Sequence, residues 1–283
     1  MRIIRRINGD SHYFYLQHSV RKGKKVITRE KYIGTSLPVN IQDIKRDFLH
    51  SLQFMLYEKL EAIKKNFKNE WQKLPESAKQ RELQEIAISF TYNSNAIEGS
   101  TITLHEVRDI IQHQIAPNKP LRDVHEAGAH AQVFFTMLTN EKIDEKLLLR
   151  WHAQIFGETK LDIAGRYRDY IVRVGDYIAP DWQDVHLMMK KLMRFVKNSK
   201  DMNPVERAAR IHFQFEKIHP FGDGNGRIGR LLMNQILWHG YCPMLIIEYK
   251  KRKSYYRAFK KDEDGFVQYF LKRYLSVHAS RLK

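Results

Sequence analysis

One cysteine, Cys242, stands among 283 residues. A single thiol cannot close a disulfide within the chain or build a multi-cysteine zinc site, and such scarcity fits a reducing, cytoplasmic compartment. Proline (8) and glycine (14) are sparse and no low-complexity tract occurs, which argues against a disordered or fibrous chain. No apolar run reaches membrane-spanning length. The opening residues, Met1-Arg2-Ile3-Ile4-Arg5-Arg6, lack the apolar stretch of a secretory leader, so none is expected. There is no Walker A loop and no internal repeat.

What is present is a large apolar fraction, 43%, and a net charge of +17. The first supports a sizeable core. The second attracts nucleic acid, nucleotides or acidic proteins, although a solvated basic surface accounts for the charge equally well.

Periodicity divides the chain. His12-Tyr-Phe-Tyr-Leu16 and Lys25-Val-Ile-Thr-Arg-Glu-Lys-Tyr-Ile33 are β-prone, with Arg21, Lys22 and Lys24 between them, so a β-hairpin with a basic turn is expected. Gly34-Thr-Ser-Leu-Pro38 ends it. Residues 1–38 therefore form a candidate N-terminal appendage and 39–283 the main domain. From about residue 41 the spacing is helical. Leu83, Ile86, Phe90 and Ile97 recur on one face, and Gly99 suits the end of that helix. Thr103-Leu-His-Glu106 is a capping box. Asn203-Pro204 opens a helix that should reach Ile218, and another should run from Asn225 to Gly240. Tyr170-Ile-Val-Arg-Val174, Gly175-Asp176 and Tyr177-Ile178 form a short hairpin pattern. The fold class expected is mainly α with two small β pieces.

The informative segment lies between two predicted helices: His219-Pro-Phe-Gly-Asp-Gly-Asn-Gly-Arg-Ile-Gly-Arg230. Gly222, Gly224 and Gly226 allow a sharp turn whose amides form an anion nest. The following helix start adds donors and positive potential. Arg227 and Arg230, three apart, share a face and suit a polyphosphate. Asp223, an acid in a cationic loop, suits a Mg²⁺ ion shared with phosphates. His219 has the ordinary pKa of a base working near neutrality. The embedded Gly224-Asn-Gly-Arg-Ile-Gly229 looks like a dinucleotide fingerprint, but a helix precedes it and not a strand.

This segment matches the Fic motif, His-x-Phe-x-Asp/Glu-Gly-Asn-Gly-Arg-x-x-Arg, at every fixed position, and residues 41–283 resemble a Fic-type helical bundle with a short β-hairpin flap. The resemblance implies transfer of AMP from ATP to a Ser, Thr or Tyr hydroxyl of a target protein. It casts His219 as the base and Asp223 as the Mg²⁺ ligand. Asn225 and the loop amides would stabilise the α-phosphate, Arg227 would hold the β-phosphate and Arg230 the γ-phosphate. Phe221 would pack inward. Ser94-Asn-Ala-Ile-Glu98-Gly99 is similar to the Fic inhibitory motif, so the helix at about 80–99 would inhibit by pairing Glu98 with Arg230. Gly165-Arg-Tyr-Arg168 leads into the flap, which in the family pairs with a target segment.

Other polar residues carry weaker signals. His125 and His130 are five apart, do not share a helix face, and are expected to be structural. His152 is expected in a core or at a cap. Tyr255 and Tyr256 stand between nucleotide contact and core packing. Two alternatives to AMP transfer stay open: AMP removal or another phosphate or nucleotide transfer on the same fold, and a basic nucleic-acid-binding module using Arg21, Lys22, Lys24 and Lys25. Besides a target protein, the chain itself is a candidate substrate and a homodimer a candidate assembly. No membrane partner is expected.

Overall fold

The computed structural model describes residues 2–22, 25–139 and 142–283. Lys24 lies outside them, as do the side chains of Arg21, Lys22 and Lys25. Two compact units are present, 1–59 and 60–283, and the division falls within the long helix α1 (Ile41–Lys73).

In the first unit, β1 (Arg2–Asn8), β2 (Ser11–Lys22) and β3 (Lys25–Gly34) form an antiparallel sheet in that order. The expected hairpin corresponds to β2 and β3. Strand β1 is an addition that the arginine-rich opening disguises. Its signal was Asn8-Gly9: β1 pairs Asn8 with Ser11, and the two-residue turn between them needs a residue at positive φ, supplied by Gly9 at +59°.

The second unit is helical. It continues with α2 (Glu76–Ile97), α3 (Leu104–Arg108), α4 (Leu121–Met137), α5 (Glu145–Phe156), α6 (Val185–Asn198), α7 (Pro204–Ile218), α8 (Asn225–His239), α9 (Arg252–Phe259) and α10 (Glu263–Val277). Local chemistry sets the boundaries. Pro75 immediately precedes α2, where a missing N–H costs nothing. Thr103 and Glu106 close the expected capping box on α3. The Asn203 side chain accepts the Val205 N–H at 3.0 Å and Pro204 takes the first turn of α7.

Helix α8 is the axis of this unit. It contacts α7, α2, α4 and α5, and residues 227–237 are all buried. A helix enclosed on every side is normally apolar throughout. This one also buries polar groups. Asn234, for example, accepts the Leu245 N–H at 2.8 Å and donates to the Leu245 carbonyl at 3.2 Å, tying the chain after α8 back onto it. The expected hairpin is present but shorter than 170–178: β4 (Arg173–Val174) pairs with β5 (Tyr177–Ile178) across Gly175, which has φ +58°. The Tyr170 carbonyl is drawn off to the Arg168 guanidinium at 2.8 Å. Among the described residues, no helix is long and apolar enough to cross a membrane.

Four histidines, His130, His152, His212 and His278, are buried in this helical unit. Burial lowers the pKa of each: well below 6.5 for His130, to about 4 for His152 and His278, and to about 3 for His212. Between pH 6.5 and about 4 the unfolded chain therefore binds protons that the folded protein refuses, and stability falls as pH falls. Each histidine contributes a slope of about 1.4 kcal/mol per pH unit in that window. Thermal melts from pH 7 to 4 should show the midpoint dropping steeply below 6.5; a flat profile would mean these rings are not held neutral.

Candidate active site

Helix α7 must stop abruptly for the loop to form. His219 caps it in the left-handed region (φ +51°, ψ +61°), a conformation that costs a non-glycine residue roughly 1–2 kcal/mol. The surroundings hold it there. Arg168 donates its backbone N–H to the Pro220 carbonyl at 2.9 Å and its Nε to the His219 carbonyl at 2.8 Å. The rest of its buried guanidinium reaches the carbonyls of Tyr170 and Pro180 at 2.8 and 2.6 Å. One side chain thus joins the α7 terminus to both ends of the hairpin segment.

The turn is closed from the other side by Asn225. Its Oδ1 accepts the Phe221 N–H and its Nδ2 donates to the Phe221 carbonyl, both at 2.8 Å. Asn225 is 1% exposed, so in this structure its amide shapes the turn. Phe221 is fully buried, as expected, and stacks on His152 with ring centroids 4.0 Å apart. Gly224, at φ +76°, precedes the first turn of α8, and a Cβ there would run into the Phe156 ring.

His152 has a larger part than a core or capping histidine. The Gly165 N–H donates to its Nδ1 at 3.0 Å, so Nε2 carries the proton and donates to the Asp223 carbonyl at 3.0 Å. Burial holds the ring neutral, as this pattern requires.

Both loop arginines are buried and paired. Arg230 donates from Nη2 to Glu98 Oε1 at 2.6 Å, and from Nε to Ser94 Oγ at 2.9 Å. Glu98 is the residue that ends α2, followed by Gly99 at φ +92°. Its carboxylate lies so close to Gly226 that a Cβ there would strike Oε1. An anion therefore already sits beside the start of α8, where unpaired N–H groups and the helix dipole favour negative charge. Arg227 is held by Glu126 of α4 and lies over the Phe156 ring at 4.4 Å. Glu126 also takes Lys160 Nζ at 3.0 Å, and Lys160 reaches Asp223 Oδ2 at 2.6 Å. Burial pushes the Asp223 carboxyl up, but the Lys160 hydrogen bond and the charges of Arg227 and Lys160 outweigh it and hold the group below its ordinary value.

His219 is half-buried. Burial lowers its pKa, while a hydrogen bond to the Glu216 carbonyl partly opposes this. One ring nitrogen faces that carbonyl, which leaves the other able to accept a proton.

Residues 142–237 match the model of the Fic/DOC family. The chain carries a Fic/DOC-family domain. It is 33% identical over 200 residues to the protein adenylyltransferase Fic of Nematostella vectensis, a stretch that makes up 68% of this chain and 47% of that protein. Against the protein of the same name from Drosophila melanogaster it is 32% identical over 202 residues, 69% of this chain and 41% of the relative. The chain thus spans less than half the length of these curated relatives. Two solved structures share the fold: a Fic domain containing signaling protein from Bacteroides thetaiotaomicron VPI-5482 (TM-score 0.67, 25% identity, 81% of this chain and 96% of that one) and Fic-1 from C. elegans (TM-score 0.70, 25% identity, 86% and 77%).

Within the Fic fold, the structure brings His219, Asp223, Asn225, Arg227, Arg230, Ser94 and Glu98 to one place. Glu126, Lys160, Phe156 and Arg168 also belong there, and the sequence reading did not single out what they do. Spacing gives no signal for them, because each joins the loop across a different element. Tyr255 is 2% exposed and bonded to His212 Nε2 at 2.6 Å, so it belongs to the core, whereas Tyr256 is 44% exposed and its hydroxyl donates to the Ile97 carbonyl at 3.2 Å. His130 stacks on Phe90 inside the helical unit, and His125 pairs with Glu158.

Replacing His152 by Ala would leave the Gly165 N–H and the Asp223 carbonyl unpaired and open a cavity against Phe221. A loss of roughly 2–4 kcal/mol is expected, with the loop amides from 221 to 226 exchanging hydrogen faster than those of α10. Denaturant titration and hydrogen exchange read the two effects separately.

Proposed function

We propose that this chain transfers AMP from ATP to a hydroxyl side chain of a protein. The observation that carries the reading is His219, held at the mouth of a loop that ends on the α8 N-terminus with two arginines beneath it. His219 takes the proton of a Ser, Thr or Tyr hydroxyl. The oxygen forms a bond to the α-phosphorus as the bond to the pyrophosphate oxygen breaks. Loop amides from Gly222 to Gly226 stabilise the charge that develops on the α-phosphate, and Asn225 fixes the turn that aims them. Arg227 meets the β-phosphate and Arg230 the γ-phosphate.

Asp223 is the residue that would hold Mg²⁺. Among the described residues, no cluster of three or more metal-ligating side chains exists. One carboxylate beside a phosphate site fits Mg²⁺, which commonly completes its shell with substrate phosphates and water. When bound, the ion neutralises phosphate charge.

Autoinhibition belongs to the same reading. With Glu98 on Arg230, the guanidinium meant for the γ-phosphate already has an anion, and the carboxylate adds negative charge where the phosphates belong. Residues 1–38 form an appendage to this catalytic domain, and residues 170–178 offer backbone for a target segment to pair with. The identity of both relatives as adenylyltransferases supports the activity. AMP removal is the second reading, because the Glu98 carboxylate lies beside Gly226 and Arg230 of the loop.

The test incubates the chain with α-labelled or γ-labelled ATP, Mg²⁺ and a lysate. Label should be retained from α-labelled ATP alone, rise at least tenfold with Glu98→Gly, and vanish with His219→Ala. Retention of γ-label would replace AMP transfer by phosphate transfer, and an unchanged Glu98→Gly rate would remove the inhibitory role. Because burial lowers the His219 pKa, the neutral, proton-accepting ring persists below pH 6.5. The acid limb of kcat/KM in the Glu98→Gly protein should therefore fall below 6.5, measured as label transfer from pH 5 to 8.

A further inference from the structure

The two oxygens of Asp223 are used differently. Oδ1 accepts the Gly224 N–H at 2.5 Å and faces Arg227 Nη2 at 3.7 Å, so it helps to hold the turn. Oδ2 is the oxygen turned toward Lys160, whose Nζ lies 2.6 Å away. A metal ion bound by Asp223 would use Oδ2. We propose that Lys160 is a resident counter-cation of the metal site: its ammonium occupies the metal-binding oxygen of Asp223 and must swing away before a divalent cation can bind. The inference rests on the reading of Asp223 as the metal ligand.

Three features of the surroundings support a displaceable lysine. First, an ammonium 2.6 Å from Oδ2 and a divalent ion bound to the same oxygen would be like charges in close contact, and their repulsion opposes joint occupancy. Second, Lys160 has somewhere to go. Glu126 Oε1 is already within 3.0 Å of Nζ, so release from Asp223 leaves the ammonium paired. Third, the other cation in the network cannot substitute for it. The Arg227 side chain is 5% exposed, fixed by Glu126 and spread over Phe156, whereas Lys160 is 19% exposed on a flexible stem beside the 45% exposed Asp223. The consequence is a site that takes metal poorly alone and better when nucleotide phosphates bring further ligands and attract the freed ammonium.

Mn²⁺ serves as the probe, titrated into the full chain without nucleotide and read by electron paramagnetic resonance of the free ion. Lys160→Met keeps an unbranched apolar side chain and removes the ammonium, which lies 4.7 Å from the centre of the Phe156 ring; it should tighten Mn²⁺ binding at least fivefold. Lys160→Gln should act in the same direction, which provides a second readout if the Met variant folds poorly, and thermal melts check both. Lys160→Arg should bind Mn²⁺ no more tightly than the parent, and Asp223→Asn should lose the site. Equal or weaker binding in both neutral variants, with Asp223→Asn still losing the ion, would overturn the role of Lys160 and leave the metal assignment standing. Unchanged binding in Asp223→Asn would overturn both.

Discussion

The closing of the turn between α7 and α8 by the Asn225 amide is the constraint on which the rest of the site depends. Its two bonds to the Phe221 backbone fix the point at which one helix ends and the next begins. That point sets His219 as the cap of α7 and Asn225 as the first residue of α8. A left-handed histidine and a left-handed glycine lie on either side of Phe221. The histidine's conformation carries a cost that the glycine's does not, and fully buried Phe221, stacked on His152, anchors the segment that bears it. Backbone strain held in place by the packing around it is a recurring arrangement in functional sites.

Charge is the second organising theme. The loop and its helix bring Arg227 and Arg230 into a nearly dry interior, where an unpaired guanidinium would be very costly. Each has received a carboxylate from another helix, Glu126 from α4 and Glu98 from the end of α2. The two pairs differ in access. Glu126 is 7% exposed and also accepts from Thr159 and Lys160. Glu98 is 27% exposed and lies at a helix terminus that disfavours an anion. The first pair is built as a fixture. The second is the more accessible of the two, and the inhibitory role proposed for Glu98 rests on that difference.

Arg168 ties this chemistry to the hairpin. Because its guanidinium spans the carbonyls of His219, Tyr170 and Pro180, the hairpin cannot move away from His219 without breaking charge-assisted hydrogen bonds. The Tyr177 hydroxyl adds a bond to the Lys217 carbonyl at 2.6 Å. A segment paired along the hairpin would therefore meet His219 at a defined height, whatever its own sequence.

Local chemistry in the sequence determined much of this protein. The capping box at Thr103, Pro204 behind Asn203, the glycine after Glu98 and the twelve-residue loop each act within a few residues of themselves, so helix limits and the loop motif are legible by spacing. Strand β1 was legible in principle through Asn8-Gly9, but its charges hid the pattern. Tertiary structure alone decided which side chains answer the buried charges. Glu126, Lys160 and Arg168 meet the loop from positions about 50 to 100 residues away in the chain, and the double role of His152 depends on Gly165 and Asp223 converging on one ring. A buried ion must find a partner somewhere, but sequence spacing records only near neighbours; the partner's identity emerges when helices pack.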